Sequence, residues 1–188
     1  MLTRSIIAAL LCVAAGTANA LQPPRPAAPF AASGTLQYAF TGDDHADEMI
    51  INAIDAAQRQ VLMQAYSLTH RRIVDALIRA RSRGVEVAVI IDQGQSNVNY
   101  AMPRELVRAG VPLLSDSQHA AAHNKVIVID SGAADCAVVT GSFNFTYAAQ
   151  HRNAENALIL RGNAPLCEAY FNNWRRHQLH SQPLARPR

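Results

Sequence analysis

Lysine is almost missing from this chain: of its 17 basic residues Lys125 is the only lysine, and 17 − 1 = 16 are arginines. A sequence that otherwise carries its positive charge as arginine has kept one compact, rotatable ammonium. Other absences narrow the class. No repeat with a period of about 20–50 residues is visible, which argues against a solenoid or propeller. The one N-terminal apolar run, Ile6–Ala15, is too short to span a bilayer comfortably. The formal net charge of +3 is too small to mark a nucleic-acid binder. What is present is a chain of 188 residues, 49% of them hydrophobic. That is enough for one compact domain with a core, too little for two ordinary ones, and too apolar for a disordered chain.

Cysteine is also scarce, and its placement matters. Residues 1–20 read as a secretory signal, with Arg4 as the positive end, the Ile6–Ala15 core and an Ala18-Asn19-Ala20 cleavage site. An uncleaved anchor is the alternative. Cleavage leaves a mature chain from Leu21 with 16 basic and 14 acidic residues, a net charge of +2. The expected location is periplasmic or secreted. Cys12 leaves with the signal, so Cys136 and Cys167 remain, either bridged or as two buried thiols. Residues 21–34 hold Pro23, Pro24, Pro26 and Pro29 among alanines and read as an extended tether. The folded domain is expected over 35–181, with 182–188 a flexible tail.

From Leu36 strands and helices alternate. Strands are expected at Leu36–Phe40, Val61–Leu68, Val85–Ile91, Val111–Leu114, Asn124–Ile129, Ala137–Thr140 and Asn156–Leu160. Helices are expected at Asp47–Gln60, Arg72–Arg83, Asn99–Arg108 and Pro165–Gln178. The stretches Gln93–Asn99 and Ser115–Ala122 stay unassigned. This order implies an α/β fold, a mixed β-sheet with helices on both faces.

The chemistry gathers where Lys125 sits. His123-Asn124-Lys125 followed by Val126–Asp130 spells H-x-K-x4-D. On a strand His123 and Lys125 share one face with Ile127 and Ile129, while Val126, Val128 and Asp130 take the other. His123 and Lys125 thus form a chemical pair, and Asp130 should point away as a supporting acid. A lysine in an apolar strand is costly without an anionic partner. Ser142 and Asn144 share a face after the next strand, behind Gly141, which permits close backbone approach. Ser142, Asn144 and Thr146 are equally suited to capping a helical turn. Glu155 leads into the last strand, where it can orient a histidine through its second ring nitrogen or lie at a solvated edge. His177 and His180 stand three apart on the last helix without clustered carboxylates or thiolates and read as surface residues, so no metal site is expected.

These residues resemble the HKD signature of the phospholipase D superfamily. Gly141-Ser142-Phe143-Asn144 begins eleven residues after Asp130, and Glu155 follows Asn144 by eleven. The chain is most similar to small secreted bacterial endonucleases of the Nuc type, with one motif per chain. The resemblance implies a phospholipase D-like sandwich and metal-independent phosphodiester cleavage without a cofactor. It makes His123 the nucleophile that forms a phosphohistidine, with Lys125, Asn144 and Ser142 holding the non-bridging oxygens and Glu155 orienting His123. Asp130 belongs to the signature. The turn from Ser131 to Cys136 is long for compact members.

A leaving alkoxide needs a proton that the attacking imidazole cannot supply at the same time. One motif per chain therefore implies a homodimer whose partner His123 is the acid; His119 and His151 of the same chain are the rivals. The motif does not choose between phosphodiesters. Export, small size and arginines such as Arg71, Arg72, Arg79, Arg81, Arg83, Arg175 and Arg176 favour nucleic acid, whether DNA or RNA, over a membrane. A phospholipase D or cardiolipin-type hydrolase is the second reading, and a non-catalytic nucleic-acid-binding module the third.

Overall fold

The computed structural model describes residues 27–98 and 101–184. The expected signal at 1–20, residues 21–26 of the expected tether and residues 185–188 of the expected tail lie outside them. The folded unit begins at Ala31. Its strands are β1 (Thr35–Phe40), β2 (Gln60–Ala65), β3 (Glu86–Asp92), β4 (Leu113–Asp116), β5 (Lys125–Ile129), β6 (Ala137–Gly141), β7 (Asn156–Arg161) and β8 (Gln182–Pro183). Its helices are α1 (Ala46–Ala56), α2 (Arg71–Ser82), α3 (Gln93–Val98), α4 (Ala101–Arg108), α5 (Tyr147–His151) and α6 (Ala164–His180).

One mixed sheet runs β1-β7-β6-β5-β2-β3-β4-β8. β2, β3 and β4 are parallel, and the remaining neighbours pair antiparallel. The central strands are buried on both sides, which is why β3 reads as an unbroken β-branched run. Alternate residues feed two cores. Val61, Met63, Val89, Ile127 and Ile129 meet Ile50 and Ile54 of α1 and Ile73 and Leu77 of α2. Leu62, Ile90, Val126 and Val128 meet Trp174 of α6, whose indole N–H donates to the Met63 carbonyl at 3.0 Å. Each such side chain contributes about 1.5–3 kcal/mol when fully buried. The expected faces of β5 and the helices on both sides of the sheet are both present.

Helix α1 stops at Ala56, short of the expected Gln60. The amides of Gln58, Arg59 and Gln60 donate instead to the Asp130 carboxylate, at 2.9, 2.7 and 2.8 Å. Three donors drawn to one acid cannot continue a helical ladder. α3 fills a stretch left unassigned, and the Asp92 carboxylate accepts from Gln95 N in its first turn. α5 is also additional, capped by Thr146 Oγ1 accepting from Ala149 N. That fulfils for Thr146 the capping alternative.

Residues 182–184 are not a loose tail. Gln182–Pro183 pair with β4 and Leu184 N donates to the Leu113 carbonyl, so they occupy the backbone groups of an otherwise open edge. At the other end of the chain, the carbonyls of Ala31 and Ser33 accept from Asn163 Nδ2, which docks the last tether residues. Cys136 and Cys167 form a disulfide across 31 residues of sequence, fixing the start of α6 to β6. Closing a loop of that size stabilises by roughly 3–4 kcal/mol in the chain-entropy account.

Candidate active site

Topology brings the chemical residues together. β5 and β7 begin, and β6 ends, on the same side of the sheet, at one end of its strands. His123 lies just before β5, Lys125 opens it, Gly141–Asn144 follow β6, and Glu155 precedes β7. His123, Lys125, Gly141, Ser142, Asn144 and Glu155 line one open cavity of about 380 Å³. Every site residue expected from the sequence except Asp130 is in its wall.

Lys125 is only 7% exposed. Its Nζ donates to His123 Nδ1 at 2.9 Å and to the His123 carbonyl at 2.7 Å, and lies 5.0 Å from the centre of the Tyr66 ring. Burial pulls its pKa below the ordinary lysine value, and the Glu155 charge opposes part of that shift. The His123 ring is exposed and tilted against Tyr66, with 4.4 Å between ring centres. With the ammonium donating to Nδ1, a neutral His123 carries its hydrogen on Nε2. Glu155 accepts from Asn153 Nδ2 at 3.0 Å rather than from His123. The expected Glu155–His123 contact is thus replaced by Lys125, which the strand places two residues from the ring.

The Gly141 turn is backbone-limited. Its φ is +146°, and a Cβ there would come within 2.3 Å of the Asn156 carbonyl oxygen. That same oxygen accepts from both Ser142 N and Phe143 N at 3.1 Å. Ser142 Oγ accepts from Asn156 N and Nδ2, at 3.0 and 3.3 Å, so its own hydrogen is left to point elsewhere. Asn144 Oδ1 is buried without a hydrogen-bond partner. An acceptor left so costs about 1–3 kcal/mol.

Asp130 sits at the far end of β5, five residues from Lys125 and therefore ~17 Å away at strand rise. With its carboxylate taken by Gln58, Arg59 and Gln60 and its φ at +50°, it clamps the α1–β2 connection. It belongs with the signature and lies outside the pocket, a supporting acid bonded to backbone amides.

Two contributors escaped sequence reasoning. Tyr66 packs on both His123 and Lys125, and its amide donates to the Asn124 carbonyl. Asp92, buried at the end of β3, accepts from Ala122 N at 2.8 Å and fixes the approach to His123. Neither follows from local pattern, because both need the β3-β2-β5 order. A strand-end position beside the motif strand would have been the signal once that order was known.

The rival histidines lie elsewhere. The His151 ring packs on Tyr147 at 4.1 Å. His119, His177 and His180 surround the fully buried carboxylate of Asp116, at 3.5, 2.7 and 3.2 Å. This corrects the reading of His177 and His180 as isolated surface residues: the carboxylate comes from β4, 61 residues upstream of His177. Burial would raise the Asp116 pKa, but hydrogen bonds from His177, Gln118 N and His180 outweigh it and hold the group at about 2. The arginines of α2 are also largely committed: Arg71 to Asp75 and Glu105, Arg72 to Asp47 and Glu48, and Arg79 and Arg83 to Asp55. Their capacity to meet a phosphate backbone is correspondingly reduced.

Comparison with known proteins matches this arrangement to a family. Residues 50–176 fit the family model described as "Cardiolipin synthase, PLD-like domain". A phospholipase D of Rickettsia conorii is 41% identical over 135 residues, covering 72% of this chain and 65% of that protein. The chain thus spans just under two thirds of the length of that relative. A mitochondrial cardiolipin hydrolase of Xenopus tropicalis is 30% identical over 116 residues, covering 62% of this chain and 53% of that protein. Among solved structures, the phospholipase D family member Nuc from Salmonella typhimurium superposes with a TM-score of 0.76 at 32% identity, covering 81% of this chain and 99% of Nuc. NucT from Helicobacter pylori shares the fold, with a TM-score of 0.66 at 20% identity, over 80% of this chain and all of that one. With the matched region enclosing the whole pocket, the chain belongs to the phospholipase D superfamily, a family of phosphodiester hydrolases.

Proposed function

We propose that this protein is an exported, metal-independent endonuclease that cleaves nucleic acid through a phosphohistidine, working as a homodimer. The observation that carries the reading is the pocket itself, where an exposed imidazole, a buried ammonium, a free hydroxyl and two further polar side chains converge. The disulfide fits an oxidising compartment.

In the proposed reaction a phosphodiester oxygen draws the Lys125 ammonium off His123 Nδ1. The ring then changes tautomer through solvent, giving its Nε2 hydrogen to water and taking one from water at Nδ1, so that Nδ1–H turns to Glu155 and Nε2 presents its lone pair. Nε2 attacks phosphorus, an N–P bond forms and a P–O bond breaks. The leaving alkoxide takes a proton from His123 of the second subunit. That histidine next removes a proton from water, whose oxygen attacks phosphorus and breaks the N–P bond. Lys125, Ser142 and Asn144 hold the charge that grows on the non-bridging oxygens.

Dimerisation has a surface available. Leu36, Tyr38 and Phe40 of β1 are exposed on one face, and register sets Phe40 opposite Asn156 and Tyr38 opposite Leu158, at the border of the pocket. We place the subunit contact there. In mixed dimers carrying one His123→Ala subunit, a shared site predicts far less than half of wild-type activity; retention of half ends the shared-site reading.

The names of the relatives make a lipid headgroup ester the second reading. Plasmid DNA, RNA and phospholipid vesicles, each offered with EDTA, separate the two. Nicking in EDTA that vanishes in His123→Ala supports the nuclease. Headgroup release without nicking replaces it with the lipase.

A further inference from the structure

We propose that Asp116, His119, His177 and His180 form a binding site for one divalent cation of the zinc type, sharing no residue with the phosphodiester pocket. Each offers one ligand atom, and the four atoms lie within 4.8 Å of one another. Three come from imidazoles and one from a carboxylate, a donor set that suits zinc and disfavours calcium or magnesium.

The cluster is convergent rather than incidental. Nδ1 of His177, Nε2 of His180 and Nδ1 of His119 all face the same carboxylate. The three rings stand 5.1, 5.2 and 5.6 Å apart, nearly an equilateral triangle around Asp116. Asp116 is fully buried at the end of β4, and Gln118 N orients its Oδ1 at 3.0 Å. His177 and His180 project together from the last turn of α6, as i, i+3 positions must. His119 comes from the loop between β4 and β5 and is half exposed.

A tetrahedral zinc with bonds of about 2.0–2.1 Å has ligand atoms roughly 3.3 Å apart. The ligand atoms now lie within 4.8 Å of one another, so the widest pair closes by at most roughly 1.5 Å to hold the ion. An ion there would cross-link β4, the end of α6 and the loop that runs on to His123. It would brace the approach to the pocket without touching substrate.

The test uses tag-free mature protein, stripped with chelator and titrated with Zn²⁺ by calorimetry. The site predicts one ion per chain, a saturable rise in melting temperature, and a tetrahedral visible spectrum with Co²⁺. His177→Ala and His119→Ala should each weaken Zn²⁺ binding by about tenfold or more. His119→Ala alters an exposed loop residue, so it keeps the test valid should the helix variant fold poorly. His123→Ala should bind like the wild type. Absence of stoichiometric binding, wild-type affinity in His119→Ala, or loss of binding in His123→Ala would each overturn the assignment; the last would move the ion to the phosphodiester pocket. A carboxylate–imidazole network with no ion is the state that remains if zinc does not bind.

Discussion

At one end of β5 the Lys125 ammonium meets an exposed imidazole in an open cavity; at the other, both oxygens of Asp130 are filled by backbone amides. The same eight-residue signature supplies both. Strand geometry forces the division, because five residues of rise separate the two groups and no single substrate atom can touch both. A short sequence motif need not be a spatial cluster. Here one half of it builds the chemistry and the other holds the strand that carries the chemistry in register.

The sharpest way to break this contrast is at the open end. His123→Ala should lower kcat by roughly 10⁴-fold or more on the proposed chemistry, while leaving stability within about 0.5 kcal/mol because the ring is exposed. Single-turnover rates and urea melts of the same preparation measure both. Lys125→Met should cost about 10²–10³ in kcat, and Lys125→Arg should not restore it, since a planar guanidinium cannot occupy the same point.

Lys125→Met also has a signature in stability. Burial lowers the folded-state pKa of Lys125, so the unfolded chain holds this proton more tightly. The charged lysine therefore subtracts from stability at neutral pH. That penalty fades as pH rises from the folded value toward the ordinary one. The stability gap between Lys125→Met and wild type should favour the variant at pH 7 and narrow on the alkaline side. A gap that widens there means that burial does not dominate.

Much of this was legible in the sequence, for reasons that particular residues make plain. Strand alternation sufficed to pair His123 with Lys125 and to turn Asp130 away. The β-branched run of β3 announced a strand buried on both faces. What stayed hidden depends on long-range pairing. The end of α1 is set by Asp130, which lies 70 residues beyond Gln60. Tyr66 reaches the site only because β2 runs antiparallel to β5, and Asp116 meets His177 only after the sheet is built. The short β8 carries almost no pattern, and it exists because β4 offers it an edge.

At the closed end, Asp130→Asn should cost about 2 kcal/mol of stability, since one oxygen and the negative charge that serve three amides are lost. Its kcat below the melting transition should stay within about twofold, well short of any catalytic contribution. Asparagine tolerates the positive φ, so the loss reports the carboxylate rather than the backbone. A large fall in kcat with unchanged stability would reverse the division of labour along β5.

The smallest expected effect tests the pocket's third donor. Ser142 Oγ already accepts two hydrogen bonds from Asn156, so its single hydrogen is available to a phosphodiester oxygen. One neutral donor in a partly open site is worth about 1.4 kcal/mol, or roughly tenfold. Ser142→Ala should therefore lower kcat about tenfold with little change in KM, because the oxygen gains most of its charge in the transition state. It should also cost about 1 kcal/mol of stability, since the Asn156 amide loses its acceptor. Ser142→Thr keeps the hydroxyl and should restore most of both. If alanine and threonine variants lose rate equally, packing rather than the hydroxyl explains the position. If only KM changes, Ser142 binds ground state and transition state alike and belongs with recognition.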